Sequence, residues 1–183
     1  MAHRAQLDST HPWSLSAAGL RSAPRTQRLV LPSPNGSTIA AGAAAPVVIA
    51  ACLRNAGAVG AALRAAGYGG PGHSVAVIAA GERWPDHSLR PALEDLLGAG
   101  AVLAALGAGM SFSAEATAAR ATYRSAPHPL ELLRSCSSAR ELRESGFGAD
   151  VDVAADLDAC AVVPAVDATS GGAFVDRAAG LGG

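Results

Sequence analysis

The sequence predicts an α/β domain: three layers, α/β/α, around a largely parallel or mixed sheet. Two observations carry this. Short apolar runs, Val47-Val48-Ile49-Ala50 and Ser74-Val75-Ala76-Val77-Ile78, alternate with stretches of helical character, and continuous apolar runs mark strands buried on both faces. Half of the 183 residues are hydrophobic but only 4% are aromatic, so the apolar mass is small and lets helices lie close to a sheet. Strand–helix alternation implies right-handed crossovers and parallel strands.

Residues 1–27 have weak periodicity and polar, Pro-containing pieces such as His11-Pro12-Trp13-Ser14; they read as irregular lead-in. Arg28–Leu31 is a short strand ended by the Pro-Ser-Pro-Asn-Gly turn, and a short helix follows over Ser37–Ala44. After the Val47–Ala50 strand, Asn55 is placed to cap a helix over Ala56–Ala66. The Ser74–Ile78 strand comes next, then a polar loop from Gly81 to His87. Pro91 suits the first turn of a long helix from about Arg90 to Leu106. Helices are expected at Ala114–Tyr123, Leu130–Ser135, Ala139–Ser145 and Asp150–Asp156, and a last strand at Ala161–Val163. Nothing after Val166 has a pattern, so residues 28–166 form the single domain and 167–183, closing on Gly182-Gly183, a flexible tail.

Composition excludes several classes. The net charge is −1 and all 14 basic residues are Arg, scattered without a basic run, so no nucleic-acid footprint is present. Cys52, Cys136 and Cys160 are odd in number and widely spaced, which reads as reduced, mostly buried thiols. No secretory h-region follows Met1, and the small-apolar run from Ala99 to Met110 is too short to span a bilayer. A cytoplasmic protein acting on a small molecule, without membrane or nucleic acid, is expected.

Two polar turns after apolar runs hold the reactive groups, and ligands bind outside the carboxyl ends of strands in open α/β sheets. In the first, Ser33, Asn35, Gly36, Ser37 and Thr38 offer hydroxyls and backbone N–H groups to an anion. Gly36 permits the backbone angles of a nest, and a helix starting there adds its dipole. A Pro-Asn-Gly reverse turn with a Ser cap is the plainer alternative. The second turn, Ala80-Gly81-Glu82-Arg83-Trp84, leads to Ser88-Leu89-Arg90 and the carboxylates Glu94 and Asp95. Adjacent on a helix, those two diverge by about 100°, so one can face a metal while the other pairs elsewhere. Arg90 and Glu94 fit an i,i+4 ion pair. Arg54-Asn55 ends a third strand, where a guanidinium can hold a carboxylate or sulfonate bidentately. His87 is a lone loop histidine, and Asp150, Asp152, Asp156 and Asp158 read as a solvated helix face. Hydroxyls, N–H groups, arginines and acids at strand ends suit phosphate-ester chemistry.

The series Leu31-Pro32-Ser33-Pro34-Asn35-Gly36-Ser37-Thr38, Leu53-Arg54-Asn55-Ala56, Ala79-Ala80-Gly81-Glu82, Ala92-Leu93-Glu94-Asp95-Leu96-Leu97-Gly98, Ser138-Ala139-Arg140-Glu141-Leu142 and Gly146-Phe147-Gly148-Ala149-Asp150 resembles, in order and spacing, the 2-phosphosulfolactate phosphatase family. The resemblance runs from about residue 28 to 166. It implies a Mg²⁺-dependent phosphatase of coenzyme M-type sulfonate metabolism that converts 2-phospho-3-sulfolactate to 3-sulfolactate and phosphate. Glu82, Glu94 and Asp95 would be the catalytic, metal-holding acids, and Ser33, Asn35, Gly36, Ser37 and Thr38 would cradle the phosphate. Arg54, Asn55 and Arg90 would hold the other anionic group. Family members usually begin with a further strand and an Asp-x-Leu-Arg-Ala-type motif, which has no match here: Asp8 lies in a polar stretch. The chain is therefore expected to be an N-terminally short member or a fragment. A lost strand would expose a sheet edge and invite self-association. The alternative function is a truncated, non-catalytic relative that binds an anionic metabolite or a partner subunit.

Overall fold

A computed structural model describes residues 13–31, 33 and 35–181; the first twelve lead-in residues, Pro32, Pro34 and the closing Gly182-Gly183 lie outside the described residues. The protein is mixed α/β. Its helices are α1 (Ala17–Ser22), α2 (Gly36–Gly42), α3 (Ala56–Ala65), α4 (Leu93–Ala105), α5 (Ala114–Ser125), α6 (Pro129–Ser135), α7 (Ser137–Glu144) and α8 (Gly148–Ala154). The strands are β1 (Glu82–Arg83), β2 (Leu89–Arg90), β3 (Pro164–Asp167) and β4 (Ala173–Asp176), in two antiparallel pairs, β1–β2 and β3–β4.

Helices α2 to α8 follow the sequence closely because their signals are local. Helix α1 falls instead in the stretch expected to be irregular lead-in, where the Ser16 hydroxyl and the Ala18 N–H donate to Asp150 Oδ1 of α8. Ser113 caps α5 by accepting the Ala116 N–H at 3.2 Å, and Pro129 opens α6 from its first position. The core lies where α3, α4 and α5 meet, around Leu97, Val59, Leu63, Val102 and Val163. Leu97 is wholly inaccessible to solvent. Two glycines set the spacing of these helices. A Cβ on Gly60 would stand 2.5 Å from the Ala105 Cβ, and one on Gly100 would stand 2.5 Å from the Ala119 carbonyl oxygen and 2.7 Å from the Tyr123 Cβ. The abundance of Gly and Ala noted in the sequence is here the means by which α4 approaches both neighbours.

The expected parallel sheet does not form among the described residues. Arg28–Leu31 forms no strand pairing among the described residues, and Arg28, Leu29 and Val30 are exposed. Val47–Ala50 holds one antiparallel bridge, Ile49 to Ala165, through Ala50 N–H to the Pro164 oxygen and Val166 N–H to the Val48 oxygen, both 2.9 Å. Residues 74–80 run without turn or bend and make no backbone hydrogen bond among the described residues. A parallel strand is held only by neighbours on its edges, and none lies between 47–51 and 74–80. The strand expected at Ala161–Val163 forms instead as β3, which begins just after it at Pro164. It pairs with β4 in the stretch that the sequence left as patternless tail, across a turn with Gly171 in the left-handed region at φ 71°. Pro91 precedes α4, which starts at Leu93, so Arg90 belongs to β2.

Candidate functional site

The two polar turns, 47 residues apart in sequence, are joined directly: the Asn35 side-chain amide donates to Glu82 Oε2 at 2.9 Å. Asn35 stands at the N-cap position of α2 without making a side-chain cap bond, so its amide is directed outward to the second turn. Ser37 donates its hydroxyl to the Ser33 carbonyl, which closes the first turn on itself. Ser37 and Thr38 are exposed in the first turn of α2. Gly36 has helical backbone without a positive φ. The nest expected at Gly36 is therefore not made by a left-handed glycine, and donors here come from the helix start and the hydroxyls.

The second turn is a tight hairpin. Glu82 pairs with Arg90 and Arg83 with Leu89 in register. The connection is closed by Trp84 N–H to the Ser88 oxygen at 2.9 Å and by Asp86, which accepts the Ser88 N–H and hydroxyl. His87 occupies the left-handed region at φ 65° within it, a turn role that explains the residue without proton chemistry.

Behind the hairpin stand the α4 acids. Asp95 Oδ2 accepts the Gly81 N–H at 2.7 Å, and Glu94 Oε2 accepts from the Cys136 thiol at 3.6 Å. The two carboxylates thus diverge, as adjacent helical residues must. Burial pushes the Asp95 carboxyl above its ordinary range, the Gly81 N–H opposes this, and the charges of Glu94 and Glu82 push it further up. The Cys136 thiol is likewise raised, first by burial and also by Glu94. Three acids therefore share one field, although no group of three His, Cys, Asp or Glu converges closely enough to hold a metal among the described residues.

The arginines are engaged elsewhere. Arg90 does not pair with Glu94. Its guanidinium grips Glu141 of α7 through two bonds, 2.6 and 3.1 Å, and lies 5.0 Å from the Trp84 ring. Arg54 is bound to the Val153 carbonyl at 2.9 Å and to Asp156 at 3.0 Å. Asn55 is buried: its side-chain oxygen accepts the Cys52 N–H at 2.8 Å, and its amide donates to the carbonyls of Val162 and Ala50 at 3.1 and 3.3 Å. It staples strand ends and does not cap α3. Of the residues singled out in the sequence, Asn35, Glu82, Glu94 and Asp95 come together with the first turn, whereas Arg54 and Asn55 face α8 and the 160s. Cys136 and Glu141 were not legible as site neighbours; only the tertiary approach of α6 and α7 brings them in.

The 2-phosphosulpholactate phosphatase family model matches residues 13–169, most of the chain. No curated protein was found to match it.

Proposed function

Because the chain belongs to the 2-phosphosulpholactate phosphatase family, we propose that it hydrolyses 2-phospho-3-sulfolactate, or a similar phosphorylated hydroxy acid, to the free hydroxy acid and phosphate. The observation that carries this reading is the Asn35–Glu82 bond. It holds a hydroxyl- and N–H-rich turn suited to a phosphate against a cluster of acids suited to a divalent cation.

The oxygen chemistry of these acids suits Mg²⁺, although no three of them converge on one point among the described residues. The ion is hard, takes oxygen ligands, and is commonly held by one or two carboxylates together with substrate phosphate oxygens and water. Asp95 has one oxygen engaged by Gly81 and one remaining, and Glu82 and Glu94 lie in the same field. Bound there, Mg²⁺ would neutralise charge on the phosphoryl oxygens. The chain's own residues do the rest. Ser33, Asn35, Gly36, Ser37 and Thr38 orient the phosphate by donating hydrogen bonds. Gly81 fixes the Asp95 carboxylate in one rotamer. Arg90 holds the sulfonate or carboxylate of the substrate by exchanging Glu141 for it, whereas Arg54, engaged by Val153 and Asp156, stays with α8. The ester P–O bond breaks, water supplies the replacing oxygen, and the alcohol leaves with a proton.

Among the described residues no helix is long and apolar enough to cross a membrane, and Cys52, Cys136 and Cys160 are unpaired thiols. These suit a cytoplasmic enzyme acting on a small anion. The test is phosphate release from 2-phospho-3-sulfolactate with Mg²⁺ and with EDTA. Release only with Mg²⁺ is expected, and Asp95→Asn should lower it by about 10²-fold or more. A specific observation favours a second reading, anion binding without turnover: both Arg54 and Arg90 are already ion-paired. Stabilisation by phosphate or sulfolactate with no hydrolysis in Mg²⁺ would establish that reading in place of the first.

A further inference from the structure

Between residues 45–53 and 74–80 runs an apolar groove of about 570 Å³, floored by Val59, Leu63 and Val102 and ending at Glu94 and Asp95. Its two walls are strand-like edges with nothing to pair among the described residues. On one wall, residues 48 and 50 bond to β3. Alternation in an antiparallel ladder therefore turns the N–H and C=O of Ile49 the other way, towards the groove. On the other wall, Val75 and Val77 are half-buried while Ser74, Ala76 and Ile78 are exposed. That is the period of a strand, yet residues 74–80 have no backbone partner among the described residues. Ile78 is 64% exposed. A helix or an acyl chain would cover the apolar surface but offer no N–H or C=O to either edge. An extended strand satisfies both edges at once.

The same chain exposes a segment of that kind. Leu29-Val30-Leu31 is apolar, Val30 is 84% exposed, and the backbone groups of Leu29 and Val30 have no partner among the described residues. Within one chain, Arg28 is held at the Ser170 carbonyl in the β3–β4 connection. We propose that residues 28–31 of a second copy fill the groove, antiparallel to 74–80, and that the exchange is reciprocal. This direction sets Arg28 at the end where Glu94 and Asp95 lie, so charge as well as hydrophobicity orients the donor. Two identical insertions close a two-fold dimer. Each groove then carries a continuous sheet, β4, β3, 47–51, the donor and 74–80, with helices packed against it.

The test is sedimentation velocity of the full chain over a hundredfold range of concentration, with Val30→Glu on the donor and Ile78→Glu on the groove edge. Both positions are exposed, so circular dichroism should report an unchanged fold in each variant. The expected result is a concentration-dependent dimer for the parent, monomer for each variant alone, and recovery of a dimer when the two variants are mixed. Recovery is expected because the intact donor of one meets the intact groove of the other. Arg28→Glu should weaken the dimer at least several-fold. A parent that stays monomeric throughout overturns the proposal, as does a dimer that Val30→Glu leaves intact or a mixture that stays monomeric. So does native mass spectrometry that finds a foreign peptide bound to the parent.

Discussion

Asp95 accepts the Gly81 N–H at 2.7 Å, so the first turn of α4 is pinned to the end of the 74–80 segment through one partly buried carboxylate. Burial, Glu94 and Glu82 raise the Asp95 pKa above its ordinary value, with only the Gly81 bond opposing. For an acid raised in the folded state, the charged form is the disfavoured one. The contribution of Asp95 to stability is therefore most favourable below the ordinary carboxylate range and is lost as pH rises through that range to the raised value. Asp95→Asn keeps an oxygen for Gly81 and removes the charge. The metal-free variant is expected to melt at or above the parent temperature at neutral pH, while phosphate release falls by about 10²-fold or more. Calorimetry from acid to neutral pH checks this; a variant several degrees less stable than the parent at neutral pH would refute it.

Mg²⁺ should raise the melting temperature of the parent more than that of Asp95→Asn, because the ion offsets repulsion among the three acids. Any ligand that binds only the folded state stabilises it by mass action. Equal shifts in the two proteins would remove Asp95 from the metal site.

Glu141→Gln frees the Arg90 guanidinium from its bidentate partner. Exposed ion pairs are worth about 0.2–1 kcal/mol, so KM for the phosphorylated substrate should fall by about two- to five-fold with kcat little changed. Steady-state kinetics in low salt reads this out. An unchanged KM would show that Arg90 does not hold substrate.

Asn55→Ala leaves the Cys52 N–H and the Ala50 and Val162 carbonyls without their shared partner. A loss of about 2–3 kcal/mol in urea unfolding is expected. A loss below about 0.5 kcal/mol would mean that the three groups find other partners.

Leu97→Ala should cost about 2–5 kcal/mol, since the side chain is wholly enclosed and the cavity cannot collapse. Gly100→Ala should cost about 1–3 kcal/mol by driving α4 away from Ala119 and Tyr123. Denaturant midpoints with unchanged slope check both.

What the sequence made legible follows the range of the forces involved. α3 to α8 were readable from caps, prolines and periodicity within a dozen residues, and their observed ends move by no more than three residues. The proximity of Glu82, Glu94 and Asp95 was legible because short segments carry them. The Arg90 partner was not, since Glu141 is 51 residues away and on α7; the nearer Glu94 satisfied the helical rule only if the helix began at Arg90. Nor was β4, whose pairing with β3 is a tertiary event that leaves no run in Ala173-Phe174-Val175-Asp176 stronger than its Gly-rich surroundings. The strands fared worst for the same reason. Apolar runs state that a segment can be a strand, while the ladder depends on what lies beside it.

The Asn35 amide gives the site an order of events. The N–H that Glu82 now receives is one that a phosphate oxygen in the first turn would also seek. An ester arriving there competes for that donor and returns an oxygen of Glu82 to the acid cluster, which becomes hungrier for a cation. Linkage makes the effect mutual: a cation that draws Glu82 away releases the Asn35 donor for the ester. Each ligand should thus tighten the other by releasing one hydrogen bond that neither can use while the site is empty.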